Sequence, residues 1–184
     1  MKLRPVFILL TIVLVGLMMF GPLGNKAKLV LTKILAPTPT LLAADSQYDI
    51  ATYEWRLKDK DWNFYSFEEA SGKFVFVHFW ASWHLPSKAT LQGVQAFYEQ
   101  YNNELVFYLI TNEEMEPVKA FMKAQSYDFP VTYRVVGDPT PFKDISLGAS
   151  YLVSPKGKVL IESLKTSDWG DQDLFDQIDG LLKQ

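Results

Sequence analysis

The stretch that decides the fold is Phe74–Ser87, FVFVHFWASWHLPS. Its first six residues, Phe74–Phe79, are almost wholly apolar, which is typical of a central strand buried on both faces of a sheet. The Trp80-Ala81-Ser82-Trp83 turn comes next. Apolar residues then recur at helical spacing and predict a helix from about Leu85 to Tyr101. The stretch therefore predicts a strand, a turn and a helix in immediate succession.

The composition is that of a folded, acidic domain with a basic leading segment. Apolar residues make up 48% and aromatic residues 15% of the 184 residues, which is enough for a core and excludes wholesale disorder. From Asp45 onward lie 13 of the 18 Lys and Arg and all 21 Asp and Glu, a net charge of −8. Because an acidic domain repels phosphate backbones, nucleic acid is not expected as a partner.

The sequence contains no cysteine. A disulfide framework, thiolate catalysis and cysteine-ligated zinc are therefore excluded. His78 and His84 are the only histidines, so a metal site with several histidines from one chain is not expected. We predict neither a bound metal nor a cofactor.

Residues 1–24 are predicted to form a membrane anchor. The uncharged run Pro5–Phe20 follows Lys2 and Arg4, and extended through Leu23 it reaches the lower limit for spanning a bilayer. A cleaved signal peptide is the alternative. Either reading places the globular part in the periplasm or another extracytoplasmic space.

Residues 25–45 are interpreted as a juxtamembrane segment and a linker. Ala27–Leu35 is either a short helix on the membrane surface or a solvated stub. Pro37 and Pro39 disfavour helix and favour extended backbone. The predicted domain therefore covers residues 46–184.

Within this domain the patterns alternate between strands and helices. Two short strands are expected at Tyr53–Leu57 and Trp62–Tyr65, followed by a capped single turn at Ser66–Glu69. The remaining expected elements are strands at Leu105–Ile110, Ser150–Val153 and Val159–Ser163, an extended segment at Phe129–Tyr133, and helices at Glu116–Gln125 and Asp171–Leu182. This order predicts an α/β domain with parallel central strands and an antiparallel hairpin.

The segment Phe79–Ser87, FWASWHLPS, resembles the active-site segment of the thioredoxin superfamily, in particular its membrane-anchored TlpA-like branch of thiol-disulfide oxidoreductases. That branch reads Phe-Trp-Ala-x-Trp-Cys-x-Pro-Cys. The resemblance extends from about Tyr53 to the C-terminus and includes the Lys156-Gly157-Lys158 hairpin turn. It implies a thioredoxin-like α/β fold, with a central mixed sheet flanked by helices and preceded by a transmembrane or signal-anchor helix.

The sequence departs from that family at the reactive positions. His84 and Ser87 stand where the family has its two cysteines, so they are vestigial active-site positions and no catalytic residue is predicted. An imidazole cannot form a mixed disulfide, and an unactivated hydroxyl cannot resolve one. Thiol-disulfide exchange by this chain alone is therefore excluded. Gly148 stands where the family has a cis-proline, and we expect a trans bond and an altered loop there.

The resemblance implies that a face for binding clients surrounds these positions. Its predicted residues are Trp80, Trp83, His84, Leu85, Pro86, Gly148, Ala149 and Ser150. The aromatic side chains nearby either form an exposed apolar patch or pack over the helix start. The candidates for that patch are Trp83, Leu85, Tyr151 and Trp169.

Two other polar positions are interpreted as structural. His78 lies within the central strand and is predicted to be a hydrogen-bonded core residue. Glu113 and Glu114 are predicted to be solvated residues at the start of the next helix, where the helix dipole favours negative charge.

Three functions remain open. The favoured one is a redox-inactive module that binds a protein or peptide at the former client face. The second is an accessory component of a thiol-disulfide or cytochrome maturation pathway, in which a partner supplies the cysteines. The third is a non-redox enzyme or ligand binder that uses His84, which tends to be neutral at a helix N-terminus. Hydrolysis by His84 and Ser87 is disfavoured because no orienting acid is apparent.

Overall fold

The computed structural model describes residues 11, 16 and 22–183. The predicted membrane anchor lies almost wholly outside these residues. No helix within the described part combines the length and the apolar character needed to cross a bilayer. The anchor and the boundary at residue 46 therefore stay predictions.

The described elements follow the predicted alternation of strands and helices. In chain order they are α1 (Pro22–Ile34), β1 (Tyr48–Asp49), β2 (Arg56–Lys58), β3 (Phe64–Ser66), a 3₁₀ turn (Phe67–Ala70), β4 (Phe74–Phe79), α2 (Leu85–Tyr101), β5 (Leu105–Thr111), α3 (Met115–Gln125), β6 (Val131–Arg134), β7 (Ser150–Val153), β8 (Lys158–Ser163) and α4 (Gln172–Leu182).

All eight strands form one mixed sheet in the order β1-β8-β7-β4-β5-β6-β2-β3. Strand β5 is parallel to both of its neighbours, β4 and β6, because helices α2 and α3 cross over between them. The β7–β8 hairpin is antiparallel and joins the sheet beside β4. The predicted α/β architecture, with its mixed sheet and flanking helices, is confirmed.

Strand β4 is buried on both faces, as its apolar sequence predicts. Phe76 points into a core layer that holds Phe97 of α2 and Trp169. Val75 and Val77 point into the opposite layer, which holds Trp55, Phe67 and Tyr151 among others. The strand that leads to the Trp80–Trp83 turn is therefore held from both sides.

Both strand predictions at the start of the domain need correction. The first strand, β2, covers Arg56–Lys58 and not Tyr53–Leu57. Trp62 does not lie in a strand but in a turn, with φ +66°. The Asp59 carboxylate accepts hydrogen bonds from the backbone N–H groups of Asp61 and Asn63, so strand β3 begins only at Phe64. Strand β1 was not predicted, because two residues are too few to show an alternating pattern.

The predicted linker is attached to the domain along its length. The carbonyl of Pro37 accepts from the Asp168 N–H at 3.0 Å, and the Leu42 N–H donates to the Leu160 carbonyl at 2.8 Å. The helical interpretation of Ala27–Leu35 is confirmed by α1, and Lys33 Nζ donates to Gln92 Oε1 of α2 at 2.7 Å. Helix α1 therefore lies against the helix that carries His84.

Candidate functional site

His84 caps the N-terminus of helix α2. Its Nδ1 accepts a hydrogen bond from the Ser87 N–H at 3.4 Å and lies 2.8 Å from Ser87 Oγ. Pro86 occupies the first turn, where its missing N–H leaves no hydrogen bond unmade. The two vestigial positions thus form one local hydrogen-bonded cap rather than an open reactive pair.

The electrostatics and burial of this pair are those of a structural contact. Desolvation lowers the pKa of His84 from its usual 6.5, which favours the neutral imidazole that a cap acceptor requires. The helix dipole also predicts a lowered pKa for His84, but here the pKa is lowered by burial. Ser87 is fully buried, and among the described residues no carboxylate hydrogen-bonds to His84. The geometry therefore gives no support to hydrolysis at Ser87.

Glu113, two residues after the end of β5, holds the Trp80–Trp83 turn. Its carboxylate accepts hydrogen bonds from the backbone N–H of Ser82 and, at 2.7 Å, from the Ser82 hydroxyl. The Thr111 hydroxyl donates to the same carboxylate at 3.4 Å. The prediction of a solvated Glu113 is wrong, because the turn brings donors to it from 31 positions away in the sequence. Glu114 is exposed, as predicted.

His78 lies beneath the site in the centre of β4. It is fully buried, and its Nδ1 lies 2.8 Å from Ser150 Oγ on the adjacent strand β7. Burial lowers the pKa of His78 to about 3, so the imidazole is neutral at physiological pH. The prediction of a hydrogen-bonded core histidine is confirmed.

The loop that contains Gly148 is bonded to the end of β4. The Gly148 N–H donates to the Phe79 carbonyl at 2.7 Å, and the Phe79 N–H donates to the Ala149 carbonyl at 2.9 Å. Gly148 has φ +99°, a value that residues with a Cβ rarely adopt. The part of the chain that the structure describes contains no cis peptide bond, so the expected trans bond is confirmed.

Burial divides the predicted client face in two. The side chains of Trp80, Ala149 and Ser150 are buried, and Gly148 is buried with them. The accessible part consists of Trp83, which is 67% exposed, and the half-buried His84, Leu85 and Pro86. We call these four residues the Trp83 face. Whether it binds a client stays a prediction.

Two candidates for the exposed aromatic patch are packed inside the domain, which favours the packing alternative for them. Tyr151 and Trp169 are fully buried, so neither lies on the surface beside Trp83. The Trp169 ring packs at 4.6 Å between centroids against Phe76, and Tyr151 stacks on Phe142 at 4.4 Å. Both residues belong to the two core layers, and no local pattern distinguishes such a core aromatic from a surface anchor.

A cavity of about 240 Å³ opens beside Trp83. It lies at the carboxyl ends of the three parallel strands, where Phe79 of β4, Thr111 of β5 and Arg134 of β6 contribute to its wall. Asn112 also lines it, as does the loop before β7. Sequence reasoning missed Asn112 and Arg134. The available signal was a polar residue at the carboxyl end of two strands, Asn112 directly after β5 and Arg134 as the last residue of β6, since ligands of such sheets bind at strand carboxyl ends.

No cluster of three or more metal-ligating side chains occurs among residues 22–183. The side chains of Ser82, His84, Ser87 and Glu113 instead form hydrogen bonds within the site.

The chain is similar to bacterial thiol-disulfide oxidoreductases. Residues 50–160 match the AhpC/TSA family. The sporulation thiol-disulfide oxidoreductase A of Bacillus subtilis is 28% identical over 94 residues, which cover 48% of this chain and 57% of that protein. The thiol-disulfide oxidoreductase ResA of the same organism is 28% identical over 107 residues, which cover 56% of this chain and 60% of that protein. The chain thus spans less than two thirds of the length of these relatives.

Solved structures show the same fold. The DsbE-type putative thiol:disulfide interchange protein of Chlorobium tepidum has a TM-score of 0.60 and 21% identity, with 73% of this chain and 96% of that chain covered. StoA of Bacillus subtilis has a TM-score of 0.53 and 19% identity, with 78% and 100% covered. Because residues 50–160 make up more than half of the sequence, the chain belongs to the AhpC/TSA family of thioredoxin-like proteins, without the cysteines of its thiol-disulfide branch.

Proposed function

We propose that this chain is a non-catalytic thioredoxin-like module that binds a protein or peptide on the Trp83 face. The module is tethered to a membrane by residues 1–24 and lies in an extracytoplasmic space. Support for the location comes from the uncharged run Pro5–Phe20.

The observation that carries the proposal is the exposure of Trp83. The turn around it is fixed by the Glu113 carboxylate and the His84 cap, yet the indole is 67% exposed. A large aromatic side chain on a rigid turn offers contact area at little cost in conformational entropy, which is why tryptophan is enriched among interface anchors. Because the chain has no thiol, it cannot perform thiol-disulfide exchange, but these residues can still bind a client.

The test is photo-crosslinking in native membranes with a benzophenone amino acid in place of Trp83. The matched control carries the same group in place of Phe64, an aromatic residue on edge strand β3 that is 61% exposed. We expect a discrete partner from position 83 and only diffuse products from position 64. Equal, diffuse capture from both positions would contradict the proposal. Leu85 is less suitable, because it lines a cavity together with Leu29 and Val30 of α1.

The names of the relatives favour one second candidate, an accessory role in redox work done by a partner's cysteines. In that case the captured partner contains a reactive thiol pair, and its clients are oxidised or reduced only when this chain is present. Client thiol states that do not change on deletion of the chain would end this candidate.

A further inference from the structure

Arg134 lines the cavity beside Trp83 and lacks an acceptor. It is the last residue of β6 and is half-buried. Its Nε is covered by protein and has no hydrogen-bond partner in the described part of the chain. The ion pairs that the described residues form involve other cations: Arg56, Lys60, Lys119 and Lys158. A guanidinium whose Nε is covered without a partner has lost part of its hydration, so an acceptor that a ligand brings to its Nη groups would be stabilising.

The surroundings of Arg134 favour a ligand with an apolar part. Phe79, Trp83, Ile145 and Leu147 form much of the remaining cavity wall. A volume of about 240 Å³ is enough for a single side chain or a small organic acid rather than for a large cofactor. The cavity thus combines an apolar wall with one fixed positive charge.

The Glu113 carboxylate, which supports the Trp80–Trp83 turn, forms no hydrogen bond or ion pair with Arg134. Glu113 directs its oxygens to the Ser82 N–H, the Ser82 hydroxyl and the Thr111 hydroxyl. It therefore stabilises the turn, and the guanidinium remains available. Arg134 therefore brings a positive charge, with no ion-pair partner among the described residues, to the cavity wall beside the exposed Trp83.

We infer that the cavity beside Trp83 binds a carboxylate carried on a small apolar group, with Arg134 as its hydrogen-bond donor. The planar guanidinium is suited to a carboxylate because two parallel N–H groups can bond both oxygens. The carboxylate comes from a free organic acid or from a bound peptide, as its C-terminus or an acidic side chain. This inference rests on the proposed binding role of the Trp83 face and specifies what that face recognises.

The experiment is an NMR titration of the isotope-labelled full chain in detergent micelles. The probes are benzoate, its neutral isostere benzamide, a dileucine peptide with a free carboxyl terminus, and a Leu-Glu-Leu peptide capped at both ends. We expect saturable shifts of the Trp83 indole and the Leu147 amide with a carboxylate probe but not with benzamide. The carboxylate probe that binds most tightly identifies the source: benzoate for a free acid, the dileucine peptide for a C-terminus, and the capped Leu-Glu-Leu peptide for an acidic side chain.

Two substitutions decide whether Arg134 is responsible. Arg134→Gln removes the charge, and we expect it to weaken binding of the carboxylate by about tenfold or more. Arg134→Lys retains the charge but loses the planar pair of donors, so it should weaken binding less. Arg56→Gln makes the same change at an exposed arginine paired with Asp138 and should leave binding unchanged.

The outcomes separate this inference from the proposed function. Equal affinities of the wild type, Arg134→Gln and Arg56→Gln for every probe would overturn the carboxylate inference, as would equal binding of benzoate and benzamide. A partner captured from position 83 would still stand in that case. Binding that depends on Arg134 without any captured protein would instead support a free acid as the ligand and contradict the protein-binding role.

Discussion

Trp80 and Trp83 stand three positions apart in the same turn and have opposite environments. Trp80 is fully buried, with its ring against Phe121 and Phe129, whereas Trp83 is 67% exposed. The backbone N–H of Trp80 donates to the Ile110 carbonyl at 2.9 Å and so ties the turn to β5. The difference shows that the turn has one residue that the fold requires and one that the fold does not use.

The same division extends through the site. The lower part consists of side chains in the sheet and its core, such as His78 and Ser150, and it fixes the backbone. The upper part is the Trp83 face, whose position depends on the Glu113 carboxylate and the His84 cap. Substitutions in the lower part should therefore alter stability, and substitution of the exposed Trp83 should alter binding alone.

The largest expected effect is that of Trp80→Ala. Removing a fully buried indole leaves a cavity among Phe121, Phe129 and the strands, and we expect a loss of about 3–5 kcal/mol in unfolding free energy. Urea denaturation followed by circular dichroism measures it. Trp80→Phe should cost much less, because the Nε1–H of Trp80 has no partner in the described part of the chain. A loss below 1 kcal/mol for Trp80→Ala, roughly that of a surface change, would erase the contrast with Trp83.

The next effect is a dependence of stability on pH due to His78. Its pKa is about 3 in the folded chain and 6.5 in the unfolded chain, so the unfolded state takes up a proton first as the pH falls. Above pH 6.5, protonation of His78 in the unfolded state hardly affects the unfolding free energy. On lowering the pH to 5, this protonation should reduce the unfolding free energy by about 2 kcal/mol. The pKa of His84 is lowered as well and acts in the same direction.

The variant His78→Asn identifies the group responsible for that slope. Asparagine does not titrate in this range and retains the capacity to hydrogen-bond to Ser150. Denaturation curves collected from pH 7.5 to pH 5 should be flatter for the variant than for the wild type. Parallel pH profiles would assign the slope to other groups and would contradict the buried neutral state of His78.

A smaller effect is expected from Glu113→Gln, which weakens the support of the turn without removing it. An amide oxygen can still accept from Ser82, but hydrogen bonds to an ionised group are stronger, so we expect a loss of about 1 kcal/mol. Glu114→Gln is the control, because that side chain is the adjacent exposed carboxylate and makes no cap bond. If both variants lose equally, the Glu113 contacts with the turn contribute nothing beyond general charge effects.

The smallest change in stability should follow Trp83→Ala. An exposed side chain contributes little to folding, so we expect a shift of less than about 0.5 kcal/mol in unfolding free energy. Recovery of the partner with the full chain from solubilised membranes should nevertheless be lost. A large destabilisation would show that Trp83 belongs to the packed frame, and unchanged recovery would remove it from the binding face.

Much of the fold could be predicted because its information is local. A short stretch of sequence is enough to predict each of three elements: β4 from its apolar run, α2 from its helical spacing, and α4 from its amphipathic pattern. The two-residue strand β1 and the turn at Trp62 could not be predicted in this way. The first is too short to show a period, and the second depends on hydrogen bonds to the Asp59 carboxylate.

The site was harder because its contacts join distant positions. The pairing of Glu113 with Ser82 and the place of Arg134 in the cavity wall both depend on the order of strands β4, β5 and β6. Whether an aromatic residue is buried or exposed depends on where the fold places it, and Tyr151 and Trp169 lie in the two core layers. The two reactive positions, by contrast, were readable from the Trp-Ala-Ser-Trp frame alone.

The backbone at Gly148 also bears on how the sequence can change. Proline is confined to φ near −65°, whereas Gly148 has φ +99° and uses its N–H to bond the Phe79 carbonyl. A Gly148→Pro exchange therefore meets a dihedral that the ring forbids and deletes a donor. A proline at position 148 thus requires a different backbone conformation of the loop, whereas the loss of the two cysteines concerns side chains alone.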